Sequence, residues 1–406
     1  MADTTHGQPD FDLGALTDQC VMCGLCLPHC PTYRLDRHEA ESPRGRIALA
    51  RQIAGKRLEV SEAALAHLDH CLGCLACQPV CPSKVRYDEI LTATRAMLTP
   101  LRTKQGRLRR WLHDPAMLVR FARIGTTLRA DRWLPRLAGL LPRHGLARRL
   151  ACEMPARPEP LRAIKSGTAP KPDRGRVTLF PGCAASVLDQ DTLAGAQILL
   201  EALGHVVVVP KRPVCCGALA LHGGDRAAAA DQAESTRSAL EDCASPIVLV
   251  SASGCLGSLR KGCSGLAVTD IVDFLARDER IDTLRFRPLD QRATLHLPCT
   301  QLNVGSGAAP LRALLARIGG LELLTLPDQP RCCGAAGSYF IEQPERADRL
   351  RTERLDQVAA QSPDLLLTTN IGCRIFLGNG LRQRKLGLPV LHPLALLARQ
   401  LDTSSP

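Results

Sequence analysis

Arg176-Val-Thr-Leu-Phe-Pro-Gly-Cys183 and Arg292-Ala-Thr-Leu-His-Leu-Pro-Cys299 are one stretch written twice. Cys215-Cys216-Gly217-Ala218 returns as Cys332-Cys333-Gly334-Ala335, and Ser251-Ala-Ser-Gly-Cys255 returns as Thr369-Asn-Ile-Gly-Cys373. The offsets are 116, 117 and 118 residues, which marks a duplication with very small insertions. In each copy a short apolar strand ends at a Cys-bearing turn and runs into a helical stretch. A second strand follows, Val206 to Val209 or Leu321 to Leu326, and then Cys-Cys-Gly. A second helical stretch leads to a third strand, Ile247 to Val250 or Leu365 to Leu367, ending at the last cysteine. Strands alternating with helices predict a parallel α/β sheet in each copy. The cysteines then sit on loops at strand ends, where such sheets place their sites.

Upstream lies a second pair of repeats. Cys20, Cys23, Cys26 and Cys30 precede Pro31, and Cys71, Cys74, Cys77 and Cys81 precede Pro82. Each reads C-x2-C-x2-C-x3-C-P. Three thiolates spaced three apart can wrap three corners of an iron–sulfur cube from one loop, and the fourth corner needs a distant ligand. In two-cluster ferredoxins the fourth Cys of each motif ligates the other cluster. That rule assigns one [4Fe–4S] cluster to Cys20, Cys23, Cys26 and Cys81, and a second to Cys71, Cys74, Cys77 and Cys30. Structural zinc is the competing reading, but zinc favours paired C-x2-C knuckles with a longer spacer. Between the motifs, Ile47, Leu49, Ile53, Leu58, Val60, Leu65 and Leu68 recur at mostly helical spacing, broken at Gly55.

The chain has 406 residues, enough for two to four domains. A hydrophobic fraction of 45% excludes a largely disordered chain and a polytopic membrane protein. The 19 cysteines are odd in number, which excludes a complete disulfide framework. Met1 to Asp10 is polar, and no export signal or membrane-spanning run is visible. A reducing compartment is expected, with cysteines used for metal or redox chemistry. Cys152, Cys243 and Cys263 lie outside every motif and are read as incidental.

The net charge of +12 is unevenly spread. Leu101 to Arg176 holds 19 Lys and Arg against 5 Asp and Glu, so it carries +14 and the remainder −2. This segment contains Trp111 and Trp133, and it interleaves Leu108, Leu112, Met117, Leu118 and Phe121 with Arg107, Arg109, Arg110, Arg120 and Arg123. Its first half reads as short helices and Pro155 to Pro172 as an extended linker. A solvated linker, a surface for anionic lipid or an acidic partner, and a phosphate-binding surface are the three readings. Stacking aromatics are too sparse for the last, so no nucleic acid is expected. The arginines of Pro43-Arg-Gly-Arg-Ile47 either face the clusters or lie on a solvated helix. No G-x-G-x-x-G or Walker A string occurs, so no flavin or NAD site is expected on this chain. The histidines form no H-x-x-x-H pair, so catalytic zinc is not expected.

The 40 residues between Cys30 and Cys71 make the N-terminal region similar to the α-helical ferredoxins of succinate dehydrogenases and heterodisulfide reductases. The C-terminal half resembles the cysteine-rich CCG domain pair of the heterodisulfide reductases. Cluster-binding relatives there carry a fifth cysteine three before the last, where this chain has Ala252 and Asn370. Cys183, Cys215, Cys216, Cys255, Cys299, Cys332, Cys333 and Cys373 therefore stay open between a further cluster, a zinc ion, a redox-active thiol pair and buried turn filling. The expected architecture is a multidomain α plus α/β chain: a helical ferredoxin domain over 1–97, a basic linker over 98–175, and CCG domains over 176–290 and 291–406.

The order of these parts resembles the iron–sulfur subunits of glycolate oxidases (glycolate dehydrogenases). The supporting strings are Cys-Pro-Thr-Tyr33, Cys-Pro-Ser83 with Val85-Arg-Tyr87, Ser-Gly-Cys255, Pro-Cys-Thr-Gln301, Cys-Cys-Gly-Ala-Ala-Gly337 and Asn-Ile-Gly-Cys373. The resemblance implies a chain that takes electrons from a separate FAD-containing, glycolate-oxidising subunit and passes them towards the quinone pool. It implies no catalytic acid or base here, and a cytoplasmic location, peripheral on the cytoplasmic face of the inner membrane through the basic linker. Related alternatives are the iron–sulfur subunits of lactate or anaerobic glycerol-3-phosphate dehydrogenases and heterodisulfide-reductase-like proteins. A zinc or nucleic-acid-binding module is the alternative of another class.

Overall fold

The computed structural model describes residues 12–101, 111, 113–142, 145–161, 173–327 and 332–402. They divide into two compact units, the N-terminal region together with Leu221–Arg226, and the rest.

The first unit is helical. Its helices are Leu13–Asp18, Pro31–Asp36, Pro43–Ala54, Glu62–Asp69 and Tyr87–Leu98. Local chemistry sets their ends. Asp12 Oδ1 accepts the amide of Gly14 at 2.9 Å, and Ser42 Oγ accepts that of Gly45 at 2.9 Å, satisfying donors that open a helix. Pro43 sits at the first turn, where its missing N–H costs nothing. The helix it opens ends at Gly55, as the periodicity predicts. Leu16, Ile47, Ala50, Tyr87, Ile90 and Leu91 share one buried core with Cys71 and Cys77. Burying each large apolar side chain contributes about 1.5–3 kcal/mol, so the core that folds this unit also fixes its inner cysteines.

The second unit holds two four-stranded parallel sheets. β1 (Arg176–Phe180), β2 (Val206–Val208), β3 (Ile247–Val250) and β4 (Ala267–Asp270) run in the order β2-β1-β3-β4. β5 (Arg292–Leu295), β6 (Glu322–Thr325), β7 (Leu365–Leu367) and β8 (Val390–Leu391) repeat it as β6-β5-β7-β8. Register repeats too: Thr178 pairs with Val248, and Thr294 with Leu366. The sequence predicts three strands per copy, and the fourth strands β4 and β8 are additions. They are short and follow the last cysteine, so no motif flags them. The two copies share one core, in which Leu179, Leu199 and Leu249 join Leu295, Leu314, Leu367 and Leu397.

The basic segment is more than a solvated connector. Helices Pro115–Thr127, Ala130–Leu137 and Leu146–Cys152 form within it. Arg149 binds the Asp348 carboxylate at 2.8 Å and donates to Phe340 O at 2.7 Å. Glu153 is buried, accepting from Arg351 at 2.9 Å and Asn379 at 3.1 Å. Helical pieces of this segment are therefore ion-paired onto the second repeat. Arg107, Leu108, Arg109, Arg110, Leu112 and most of Pro155 to Pro172 lie outside the described residues.

Candidate functional site

The two C-x2-C-x2-C loops share a backbone conformation that their sequences only half reveal. Met22 and Gly24 flank Cys23 with φ of 57° and 86°, and Gly73 and Leu75 flank Cys74 with φ of 61° and 57°. The glycine changes sides between the copies, yet both flanking residues are left-handed in each. A large apolar residue there costs about 1–3 kcal/mol. Strain accepted twice at equivalent points identifies the loop shape as what is held. Successive amides in such turns form concavities suited to anions.

Each loop walls a hollow. The first is lined by Cys20, Cys23, Cys26, Cys77 and Cys81. The second, about 300 Å³, is lined by Cys30, Cys71, Cys74 and Cys77. The fourth cysteine of each motif lies on the other motif's hollow, Cys81 on the first and Cys30 on the second, while Cys77 lines both. Eight thiols in two groups of four fit iron–sulfur ligation. Burial pushes the Cys77 thiol well up, and neighbouring thiols at Cys74 and Cys71 add to this. A bound cation reverses that balance, because a coordinating thiol gives up its proton.

The arginines of Pro43-Arg-Gly-Arg face the hollows. Arg44 lines the first and donates to Met22 O at 2.9 Å, while its other face pairs with Glu39 at 2.7 Å. Arg46 lines the second. It is buried and donates to His67 O at 2.7 Å, Thr32 Oγ1 at 3.0 Å and Glu41 Oε2 at 2.6 Å. Gly45 between them leaves no room for a side chain, since a Cβ would lie 2.1 Å from Glu39 O. Each hollow therefore has one guanidinium to offset anionic charge. The hollows differ in exposure. None of Cys20, Cys23, Cys26 and Cys81 is buried, whereas Cys30, Cys71 and Cys77 are. Val21, Met22 and Leu25 form an exposed apolar rim at the first hollow.

In the second unit each repeat brings its four cysteines together at the strand ends. Cys215 and Cys183 lie 3.7 Å apart in the first repeat, and Cys333 and Cys373 lie 3.1 Å apart in the second. The Cys-Cys-Gly turns require glycine: Gly217 and Gly334 have φ of 71° and 94°, and a Cβ on Gly334 would lie 2.7 Å from Ala347 O. Contact with Cys215 and burial push the Cys183 thiol well up. Contact with Cys332 and burial do the same to Cys299. Ala252 and Asn370, three residues before the last cysteine of each repeat, both cap helices. Asn370 Oδ1 accepts the amide of Gly372 at 2.8 Å, so its side chain is engaged in the cap. Cys243 and Cys263 are buried packing residues, with Cys243 donating to Ala239 O at 3.4 Å.

Two histidine clusters are absent from the sequence reading. Glu41 Oε1 accepts from both His67 and His70 at 2.7 Å. His296 stands on the second repeat's site with Cys333 and Cys373, the donor atoms all within 4.8 Å of one another. Setting the histidines aside for want of an H-x-x-x-H pair overlooks this group, whose members come from three strand ends. The signal lies in the duplication itself, which aligns His296 with Phe180.

Residues 17–85 match the family model of the 4Fe-4S dicluster domain, and residues 177–260 and 293–378 each match that of the cysteine-rich domain called CCG. The chain is 32% identical to the glycolate oxidase iron-sulfur subunit of Escherichia coli, across 89% of either chain. The chain belongs to the family of glycolate oxidase iron–sulfur subunits. A second member, the probable glycolate oxidase iron-sulfur subunit of Bacillus subtilis, is 30% identical over 93% of this chain and 90% of its own. Beyond the family, lactate utilization protein A of Bacillus licheniformis is 24% identical over 53% of this chain and 96% of its own. Family membership makes the chain an iron–sulfur component of an oxidoreductase, and the names of these relatives as subunits imply a catalytic partner. No helix among the described residues is long and apolar enough to cross a membrane.

Proposed function

We propose that this chain holds two [4Fe–4S] clusters and relays electrons from an FAD-containing, glycolate-oxidising subunit towards quinone. The observation that carries the reading is the crossed grouping of eight cysteines around two hollows, each with its own arginine. Cys20, Cys23, Cys26 and Cys81 would hold one cluster, and Cys71, Cys74, Cys77 and Cys30 the other. Bound clusters supply one-electron transfer. The chain's part is to hold them, to offset their charge with Arg44 and Arg46, and to keep water from the inner one by burying Cys30, Cys71 and Cys77. The more open first hollow, with its apolar rim of Val21, Met22 and Leu25, is the side offered to a redox partner. Exposed Phe121, Ile124, Leu128, Trp133 and Leu137 beside the arginines of 120–136 support a peripheral contact with anionic membrane. The domain plan of 1–97, 98–175, 176–290 and 291–406 stands as part of this proposal.

The test is anaerobic co-purification with the flavoprotein, followed by reduction of the visible chromophore with glycolate, lactate or glycerol 3-phosphate. Glycolate bleaching and about eight irons held by the ferredoxin region are expected. Bleaching by lactate alone would overturn the substrate assignment, and a colourless, sulfide-free protein would overturn electron transfer.

A further inference from the structure

The two CCG repeats are not chemically equivalent, and the difference lies in one residue. Where β1 ends in Phe180, the chain leaving β5 carries His296. Both side chains are buried, Phe180 at 2% exposure and His296 at 0%. Phe180 packs into the first repeat's core with Val214 and Cys216. His296 has two ring nitrogens with no hydrogen-bond partner among the described residues. Leaving a buried polar group unpaired costs about 1–3 kcal/mol, so an imidazole in a phenylalanine's place needs a ligand to account for it. Its surroundings are the thiols of Cys333 and Cys373, all three donor atoms within 4.8 Å. Cys299 and Cys332 are in contact with each other and act on Cys373.

We propose that the second repeat binds one zinc-type divalent metal ion through His296, Cys333 and Cys373, with a thiolate of Cys299 or Cys332 at the fourth corner. The donor chemistry selects the ion. Thiolate sulfur with a neutral imidazole nitrogen is the set that zinc takes in closed tetrahedral sites, at about 2.3 Å to sulfur and 2.0 Å to nitrogen. The three donor atoms lie within 4.8 Å of one another, the scale of the ligand spacing that such bonds set around one tetrahedral ion. Three thiolates around a doubly charged ion leave one negative charge, and the buried guanidinium of Arg354 stands near to offset it. At the matching position the first repeat carries Phe180, which can ligate nothing.

The test uses the full chain purified anaerobically with its iron intact. About one zinc per chain should survive dialysis against a mild chelator. His296→Phe, which writes the first repeat's residue into the second, should lose that zinc while iron, acid-labile sulfide and visible spectrum stay at wild-type levels. Cys373→Ser should do the same. Cobalt substituted into the wild-type site should give tetrahedral d–d bands and sulfur charge transfer, and His296→Phe should abolish both. Should His296→Phe fail to fold, zinc-edge X-ray absorption on the wild type decides, with a mixed nitrogen and sulfur shell expected. Zinc retained unchanged in His296→Phe, an all-sulfur shell, or iron in place of zinc at this repeat would each overturn the proposal. None of these readouts depends on the substrate of the complex, so failure here leaves the electron-transfer reading standing.

Discussion

Arg46 and Glu41 are joined by a 2.6 Å ion pair in which the side chains are 2% and 1% exposed. Glu41 also takes His67 and His70 on its other oxygen, so one carboxylate ties three cationic or potentially cationic groups behind the second hollow. Breaking such a pair by removing one partner costs about 3–5 kcal/mol, because the other charge is left buried and unmatched. Glu41→Gln should therefore destabilise the first unit by about that amount in chemical denaturation of the iron-loaded chain. Arg46→Leu should act on stability and on iron together, since Arg46 also lines the hollow. Its iron loss should fall on the second cluster, read by electron paramagnetic resonance. Full iron retention in Arg46→Leu would show that the guanidinium serves folding alone.

The Cys-Cys-Gly turns offer a graded comparison. At Gly334 an added Cβ would meet Ala347 O at 2.7 Å, and at Gly217 it would meet Ala229 O at 3.0 Å. Both residues are left-handed, which alone costs a non-glycine about 1–2 kcal/mol. Gly334→Ala should thus destabilise more than Gly217→Ala, because both meet unyielding helix backbone, of Pro344–Gln361 and Arg226–Glu241, and the approach at Gly334 is the closer. Denaturant midpoints of the two variants check the order. Equal midpoints would mean that the turns, not the helices, absorb the added carbon.

Much of this was legible beforehand, and the reasons are physical. The cysteine spacing fixes loop chemistry whatever surrounds it, so two iron–sulfur motifs could be read from residue types alone. The strand–helix alternation is carried by runs such as Ile247 to Val250, which read as strand from local apolarity. What was hidden depends on tertiary neighbours. The left-handed turns at Met22 and Leu75 carry no glycine to announce them. Glu153 looks like one acid in a basic segment until Arg351 and Asn379 close around it. His296 lies 37 and 77 residues before Cys333 and Cys373 in sequence, and its significance appears only when the fold places it beside them.

Asp278 provides a pH handle remote from the cysteines. Burial opposes its charge, but hydrogen bonds from His205 and the Arg280 amide and the charge of Arg174 outweigh this and hold its pKa below the ordinary value. Arg174 reaches it at 2.6 Å and His205 at 3.0 Å. A carboxylate lowered on folding contributes stability that is complete above its unfolded pKa and drains away as pH falls through that value towards the folded one. Local hydrogen exchange around 277–284 should therefore quicken as pH falls below about 4, beyond the intrinsic rate change. Asp278→Asn should already be fast at neutral pH and should lose that acid response. An identical acid response in the variant would assign the effect to another group.

The crossed cysteine sets make the sharpest test of the electron-transfer reading, because the sequence-local alternative predicts the opposite pairing. Cys30 is in the first motif but lines the hollow of Cys71, Cys74 and Cys77, and Cys81 is in the second motif but lines that of Cys20, Cys23 and Cys26. In the reduced protein, Cys81→Ser should alter the same paramagnetic signal as Cys20→Ser and leave the other intact. Cys30→Ser should likewise match Cys71→Ser. Each single change should cost up to about half of the ferredoxin-region iron. The exposed set should also be the more oxygen-sensitive, since none of its four cysteines is buried. Should Cys81→Ser instead share its spectrum with Cys71→Ser, each motif would be closing on its own cluster, and the pairing drawn from the two hollows would be wrong.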